Sequence, residues 1–277
     1  MKLSEQNIGF IGGGQMAEAI FGGLIASGVV QASRITVCDV SEQRLRDLSE
    51  RFGVHTAPNN AHSNEGATAV ANSCGILFLA VKPQYLRPVL ESLGPHIRPD
   101  QLVISIVGGA TLALLESFIK APVVRVMPNT PMLVREGAAG IAAGGLCTPD
   151  HTALAEEVFS LMGIAYVLPE SLIDPLNSVS GCGPAYAFVF MEAMADGGVA
   201  MGLPRDMAYR LAAQTLLGSA KMLLEGGHPG RLKDNVCSPG GSTIVGVHAL
   251  EKGCFRGTVM NAVEAGMNRM LEVGKNI

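Results

Sequence analysis

From residue 8 to about residue 168, short apolar runs alternate with stretches whose apolar residues recur at three- and four-residue spacing. The runs are Ile8–Ile11, Ile35–Cys38, Ile76–Val81, Leu102–Val107, Val123–Met127, Gly140–Ala143 and Ala165–Leu168. The helical patterns between them cover Gln15–Ser27, Glu42–Phe52, Gln84–Leu93, Leu112–Ile119 and Asp150–Leu161. Strands buried on both faces and separated by helices predict βαβ units and a parallel sheet. After Pro169-Glu170 the pattern changes. Long Ala-, Leu- and Met-rich helical stretches take over at Ile173–Val179, Ala185–Met201, Arg205–Leu224 and Phe255–Val273, with Pro204 placed to open a helix and Gly226-Gly227 to end one. The expectation is an α/β domain over residues 1–170 and an all-α domain over residues 171–277. The later helices are apolar nearly all round, which about a hundred residues cannot cover by themselves, so an extensive interface with another copy is expected.

Composition narrows the class. The chain has 277 residues, 48% of them hydrophobic, and a formal net charge of −4. That suits a soluble globular protein with a sizeable core and argues against nucleic acid as a partner, since such proteins carry basic patches. The polar start, Met1–Asn7, gives no signal peptide. The most apolar helical stretch, Pro184–Met201, is interrupted by Glu192 and Asp196, so a buried helix is expected, not a membrane span. Six scattered cysteines without a C-x-x-C pair fit reduced thiols in a cytoplasmic protein. The six histidines have no metal-ligand spacing, and no metal is expected.

The strongest local signal follows the first run. Gly12, Gly14 and Ala17 in Ile11-Gly12-Gly13-Gly14-Gln15-Met16-Ala17 match G-x-G-x-x-G/A between a strand and a helix. Gly12 permits a sharp turn, Gly14 lets a pyrophosphate approach the backbone, and Ala17 lets the helix lie close to the strand. The helix start then offers N–H groups and a positive dipole end to phosphate. A glycine-rich turn that binds nothing is the alternative. Asp39 closes the second run, where an acid hydrogen-bonds the adenosine ribose and repels a 2′-phosphate. It also fits a helix cap. Arg44, one turn on, reads as a solvated helix residue or as a 2′-phosphate ligand.

Further candidates sit at other strand ends. Pro83 holds Lys82 extended after Ala80-Val81, for backbone contact with a cofactor or for catalysis by the lysine. Gly108-Gly109, after Ile106-Val107, suits a nicotinamide shelf or a plain turn. Asn129, in the rigid Pro128–Pro131 loop, offers an amide to a ligand, and Arg125 reads as an ion-pair partner. Glu192 and Asp196, at i and i+4, suit acid–base work or, better, interhelical bonding. In the all-α half, Pro239-Gly240-Gly241 leads into Ser242-Thr243 and an apolar helix. That is a carboxylate site or an ordinary capped helix.

The Asp234–Glu251 segment resembles the signature of the pyrroline-5-carboxylate reductase family. The glycine loop, Ala80–Pro83, Arg125–Pro131, Ser180–Tyr186 and Ala195–Pro204 look like landmarks of the same family, over nearly the whole chain. The resemblance implies a Rossmann-like dinucleotide-binding domain followed by an all-α dimerisation domain. It implies homodimers that assemble into a decamer, with each active site where one subunit's helices meet the partner's cofactor domain. It implies NADP or NAD as cofactor and reduction of 1-pyrroline-5-carboxylate to proline. Carried over, Ser238, Gly240, Gly241, Ser242 and Thr243 hold the substrate carboxylate, and the Thr243 hydroxyl reaches the ring nitrogen as the catalytic contact. Gly12, Gly13, Gly14, Gln15, Met16, Ala17, Asp39, Asn60, Ala80, Val81, Lys82, Pro83, Ile106, Val107, Gly108 and Asn129 form the cofactor site. Many family members favour NADPH and carry a small hydroxyl residue where this chain has Asp39. Two rivals stand beside this reading. Other two-domain dehydrogenases use a helix lysine early in the second domain, and Ile173–Phe190 has no lysine. A non-catalytic dinucleotide sensor would not need the Pro239–Thr243 loop.

Overall fold

The computed structural model describes residues 2–60 and 62–274, so the outer ends of both expected domains lie outside them. The chain runs β1 (Ile8–Ile11), α1 (Gln15–Ala26), β2 (Ile35–Asp39), α2 (Glu42–Phe52), β3 (His55–Pro58), α3 (Glu65–Ser73), β4 (Ile76–Leu79), α4 (Leu86–Leu93), β5 (Leu102–Ser105), α5 (Leu112–Phe118) and β6 (Val123–Met127). It continues through β7 (Gly137–Ala143), α6 (Pro149–Ser160), β8 (Gly163–Val167) and α7 (Ile173–Ser180). Five helices follow: α8 (Gly183–Ala200), α9 (Arg205–Leu224), α10 (Pro229–Asn235), α11 (Ser242–Lys252) and α12 (Phe255–Gly274).

The eight strands form one sheet in the order β3-β2-β1-β4-β5-β6-β7-β8. Its first six positions have the doubly wound dinucleotide-binding order, with the reversal between β1 and β4. All neighbours are parallel except β6 and β7. The all-parallel expectation fails there because Thr130–Val134 forms a short 3-10 turn in place of a crossover helix. Phe10, Phe21, Phe78 and Phe159 pack on one face, with Phe10 and Phe78 stacked at 4.5 Å between ring centroids. Leu77, Leu79, Leu86, Leu90, Val103 and Leu115 fill the other.

Two elements of this unit lack an apolar pattern. The edge strand β3 is largely exposed, so no apolar run is needed, and its hydrogen bonds to β2 hold it. The small residues of α3 let it pack closely, with Ala67 and Ala71 buried. The Asn59 side chain accepts from Ala67 N–H at 3.2 Å and steadies its first turn.

The fold has two compact units. One takes in Met1–Gly181 with Gly266–Ile277, the other Cys182–Ala265. Helix α7 stays with the sheet. Arg125, 2% exposed on β6, donates to Glu170 at 3.0 Å and to Asp174 at 2.5 Å. Asn129 donates to the Ser180 carbonyl at 2.9 Å. The start of α7 is thereby tied to β6 and its end to the loop after β6, and Arg125 is an ion-pair partner as expected. In the helical unit, only Ala195, Ala208 and Ala212 are buried among the described residues. Phe188, Val189, Met201, Leu224, Val245 and Met260 are all exposed.

Candidate functional site

The sheet unit brings its expected site residues to one edge, the carboxyl ends of β1 to β6. At the centre the loop after β1 crosses the end of β4. Gly12 has φ +105°, and a Cβ there would stand 2.6 Å from the Ala80 carbonyl oxygen. The crossing is stitched on both sides: Gly12 N–H donates to Cys38 O at 2.8 Å and Ala80 N–H to Ile11 O at 2.9 Å. A residue with a side chain would push β1 and β4 apart, so this turn requires glycine.

Gly13 is clamped at both ends of its peptide. Its N–H donates to Asp39 Oδ2 at 2.7 Å, and its carbonyl accepts from Arg44 Nε at 2.7 Å. The rest of the Arg44 guanidinium binds Asp47 at 3.1 Å and Glu18, which Arg51 also bonds at 2.5 Å. Burial pushes the Glu18 carboxyl up, but these two guanidinium groups outweigh it and hold the acid below its ordinary value. Arg44 is therefore a structural tie between α1, α2 and the glycine loop, not a solvated residue. Asp39 serves the loop and also caps the β2–α2 turn, accepting from Ser41 N–H at 2.9 Å.

Beyond the clamp the loop is open. Gly14 caps α1 without a side-chain hydrogen bond, and a Cβ built on it would meet no atom within 4 Å. The first-turn N–H groups of Gln15, Met16 and Ala17 have no partner within a helix. Ala17 is buried against the sheet and Met16 packs on its core, while Gln15 is exposed. The cradle fits a dinucleotide: amides and a helix dipole face a space free of side chains, which a pyrophosphate fills.

Around this centre lie the remaining strand ends. Asn60 follows β3, exposed, with its Oδ1 accepting from His62 N–H at 2.8 Å. Lys82 is extended and exposed, with φ −67° and ψ 148°, and Pro83 starts a 3-10 turn behind it. Val81 is partly buried. After β5, Ile106 N–H pairs with Leu79 O at 3.0 Å, and Gly108 faces open space. Val107 points its side chain into the core, 2% exposed, so only its backbone can line a ligand. Asn129 does not offer its amide. Its Nδ2 is bonded to Ser180 at the end of α7, and its Oδ1 accepts from Ala138 N–H at 2.8 Å across the β6–β7 turn.

The helical unit carries the second cluster. Ser238–Gly241 is a tight turn in which Gly241 N–H donates to Ser238 O at 3.0 Å and Gly240 has φ +69°. Gly241 caps α11 with no side-chain bond, so Ser242 and Thr243 stand in the first turn with exposed side chains. Gly241 is also an ordinary N-cap, so the geometry is shared by a carboxylate site and a capped helix. Asp196 instead pairs with Arg205, which favours the structural reading of that carboxylate.

Sequence reasoning passed over the Glu18–Arg44–Asp47–Arg51 network and the Glu170–Arg125–Asp174 pairing. The i, i+3 and i, i+4 spacings within α2 were legible. The partners across elements were not.

Comparison with known proteins agrees with this geometry. The family described as pyrroline-5-carboxylate reductase dimerisation matches residues 170–273, and the family described as NADP oxidoreductase coenzyme F420-dependent matches residues 7–109. The chain is 45% identical to a pyrroline-5-carboxylate reductase of Methanosarcina acetivorans, over 99% of this chain and 100% of that one. It is 44% identical to that of Escherichia coli, over 98% and 100%. Among solved structures, a Plasmodium falciparum pyrroline carboxylate reductase with NADP bound superposes with a TM-score of 0.87 at 33% identity, covering 98% of this chain and 99% of that one. An NAD(P)-binding oxidoreductase fold, an open phosphate cradle and relatives matched from end to end converge on one assignment: the chain belongs to the pyrroline-5-carboxylate reductase family.

Proposed function

We propose that the protein reduces the C=N bond of 1-pyrroline-5-carboxylate to give L-proline, the last step of proline biosynthesis. The observation that carries this reading is 45% identity to a named reductase over 99% of the chain, through both the cradle and the Ser238–Thr243 turn. Bound NAD(P)H supplies the hydride, which goes to C5, while the ring nitrogen takes a proton. The residues of this chain hold and orient. Gln15, Met16 and Ala17 N–H groups receive the pyrophosphate, Asp39 and Asn60 the adenosine ribose, and Ala80–Pro83 with Ile106–Gly108 the nicotinamide end.

Gly241, Ser242 and Thr243 receive the substrate carboxylate at the start of α11, with Ser238 and Gly240 shaping the turn. Thr243 Oγ1 sits at the ring nitrogen and stabilises its protonated form, which accepts hydride more readily than a neutral imine. No nucleophile is needed. Rate comes from holding two flat rings in register and from one polar contact.

We place Cys182–Ala265 at the subunit interface, since its exposed apolar faces need a second copy to cover them. Subunits pair through it, the domain of residues 171–277 completes a site on the partner's cofactor domain of residues 1–170, and dimers assemble further, up to a decamer. The cytoplasm is the proposed location, supported by six unpaired cysteines. The test is oxidation of NADH and NADPH with and without pyrroline-5-carboxylate, with proline identified as product. Oxidation that does not depend on the imine, or coenzyme binding with no turnover, overturns the reading.

A further inference from the structure

We propose that the end of β2 makes this enzyme select NADH over NADPH, through the Asp39 carboxylate and the commitment of Arg44 to the glycine loop. The inference rests on the dinucleotide-reductase reading above and adds which coenzyme that site takes.

A carboxylate offers about four acceptor positions. Asp39 uses one oxygen for Gly13 N–H and the other for Ser41 N–H, so both oxygens are fixed by backbone and cannot swing aside. Each oxygen keeps a further lone pair, which suits the hydroxyl donors of an unsubstituted adenosine ribose. A 2′-phosphate brings roughly −1.5 to −2 charges at pH 7 and no donor. It would meet a fixed negative charge. Moving Asp39 away would release the Gly13 amide and disturb the loop that receives the pyrophosphate.

A site for the extra phosphate would need a free cation in reach. The candidate on α2 is Arg44, and its guanidinium is spent: Nε on Gly13 O, one terminal nitrogen on Asp47, the other on Glu18. Turning it toward a phosphate would break all three contacts and leave Glu18 with Arg51 alone. The other two arginines of this region are also paired, Arg46 to Glu42 and Arg51 to Glu18 and Asp47. Together α1, β2 and α2 carry three arginines against five carboxylates, so the local charge is negative where the 2′ position lies. Each Coulomb and hydrogen-bond contribution favours the smaller coenzyme.

The experiment is calorimetric titration of the intact oligomer with NADH and with NADPH, followed by kcat/KM for each with the imine. The expected result is at least tenfold tighter binding of NADH and the same preference in turnover. Equal or tighter NADPH binding overturns the inference. D39N removes the charge but keeps one acceptor oxygen, so one of the two backbone bonds is lost. Coenzyme binding is expected to weaken in general, while the NADH preference is expected to fall at least tenfold. Should D39N fail to fold, the wild-type binding ratio still decides. R44Q is expected to weaken both coenzymes by the same factor; a loss confined to NADPH would show that Arg44 leaves its partners for the phosphate, and would refute the reasoning. NADH preference in binding without imine turnover leaves this inference standing and defeats the reductase reading. Turnover best with NADPH does the reverse.

Discussion

Two glycines separated by one residue are expected to answer alanine in opposite ways. At Gly12 the backbone has φ +105° and the added Cβ would lie 2.6 Å from Ala80 O and 2.8 Å from Ala80 C. Ordinary contact begins near 3.4 Å, so β1 and β4 must part by most of an ångström where Ala80 N–H now donates to Ile11 O at 2.9 Å. The positive φ costs about 1–2 kcal/mol and the forced shift about 1–3 kcal/mol. Gly12→Ala should therefore lose about 2–5 kcal/mol. At Gly14, φ −67° and ψ −179° suit any residue, and the Cβ meets nothing within 4 Å. Fewer unfolded conformations favour alanine by about 0.4–1 kcal/mol, and a poorer N-cap takes back a few tenths or more. Gly14→Ala should keep its stability within about 0.5 kcal/mol yet bind coenzyme at least tenfold more weakly, because the methyl stands in the phosphate cradle. Urea midpoints at one protein concentration, with calorimetric titration of NADH and NADPH, separate the two effects. Equal destabilisation by both substitutions, or full coenzyme affinity in Gly14→Ala, would refute the account of the loop.

Other expectations follow from single contacts. Thr243 is exposed, so Thr243→Ala should leave the melting temperature in place while kcat/KM with the imine falls at least tenfold, about 1.4 kcal/mol; an unchanged rate removes its assigned role. Arg125→Met leaves Glu170 and Asp174 facing the sheet without their cation. Breaking a buried pair costs about 3–5 kcal/mol, and the lower end applies because these carboxyls are 32% and 23% exposed. Adding Asp174→Asn should recover part of the loss in a denaturant titration, and no recovery would show that the pairing is not the cause. Burial, with the Asp39 charge adding to it, pushes the Cys38 thiol up to about 12 from an ordinary 9.0. The native state keeps this proton where the unfolded chain has lost it, so the contribution is intact below pH 9.0 and lost as pH rises toward 12. Cys38→Ala should flatten the alkaline stability profile over that window relative to wild type.

The order of elements, the glycine loop and the candidate residues at strand ends were legible from local pattern. Burial on both faces writes continuous apolar runs, and a phosphate turn demands glycine at set spacing. Exposed β3 and small-residue α3 left no such trace, since edge pairing and close packing ask little of side-chain hydropathy. What only the tertiary structure decided is how polar groups are spent. Asn129 looked free for a ligand until the antiparallel β6–β7 turn and the end of α7 took both ends of its amide. Arg44 looked solvated until α1 and the glycine loop closed on it. Val107 looked able to offer its side chain until the core beyond β5 took it, which leaves only its backbone for a ligand. A side chain's chemistry is written at its position, but its partners come from distant segments, and that pairing is settled when the sheet assembles.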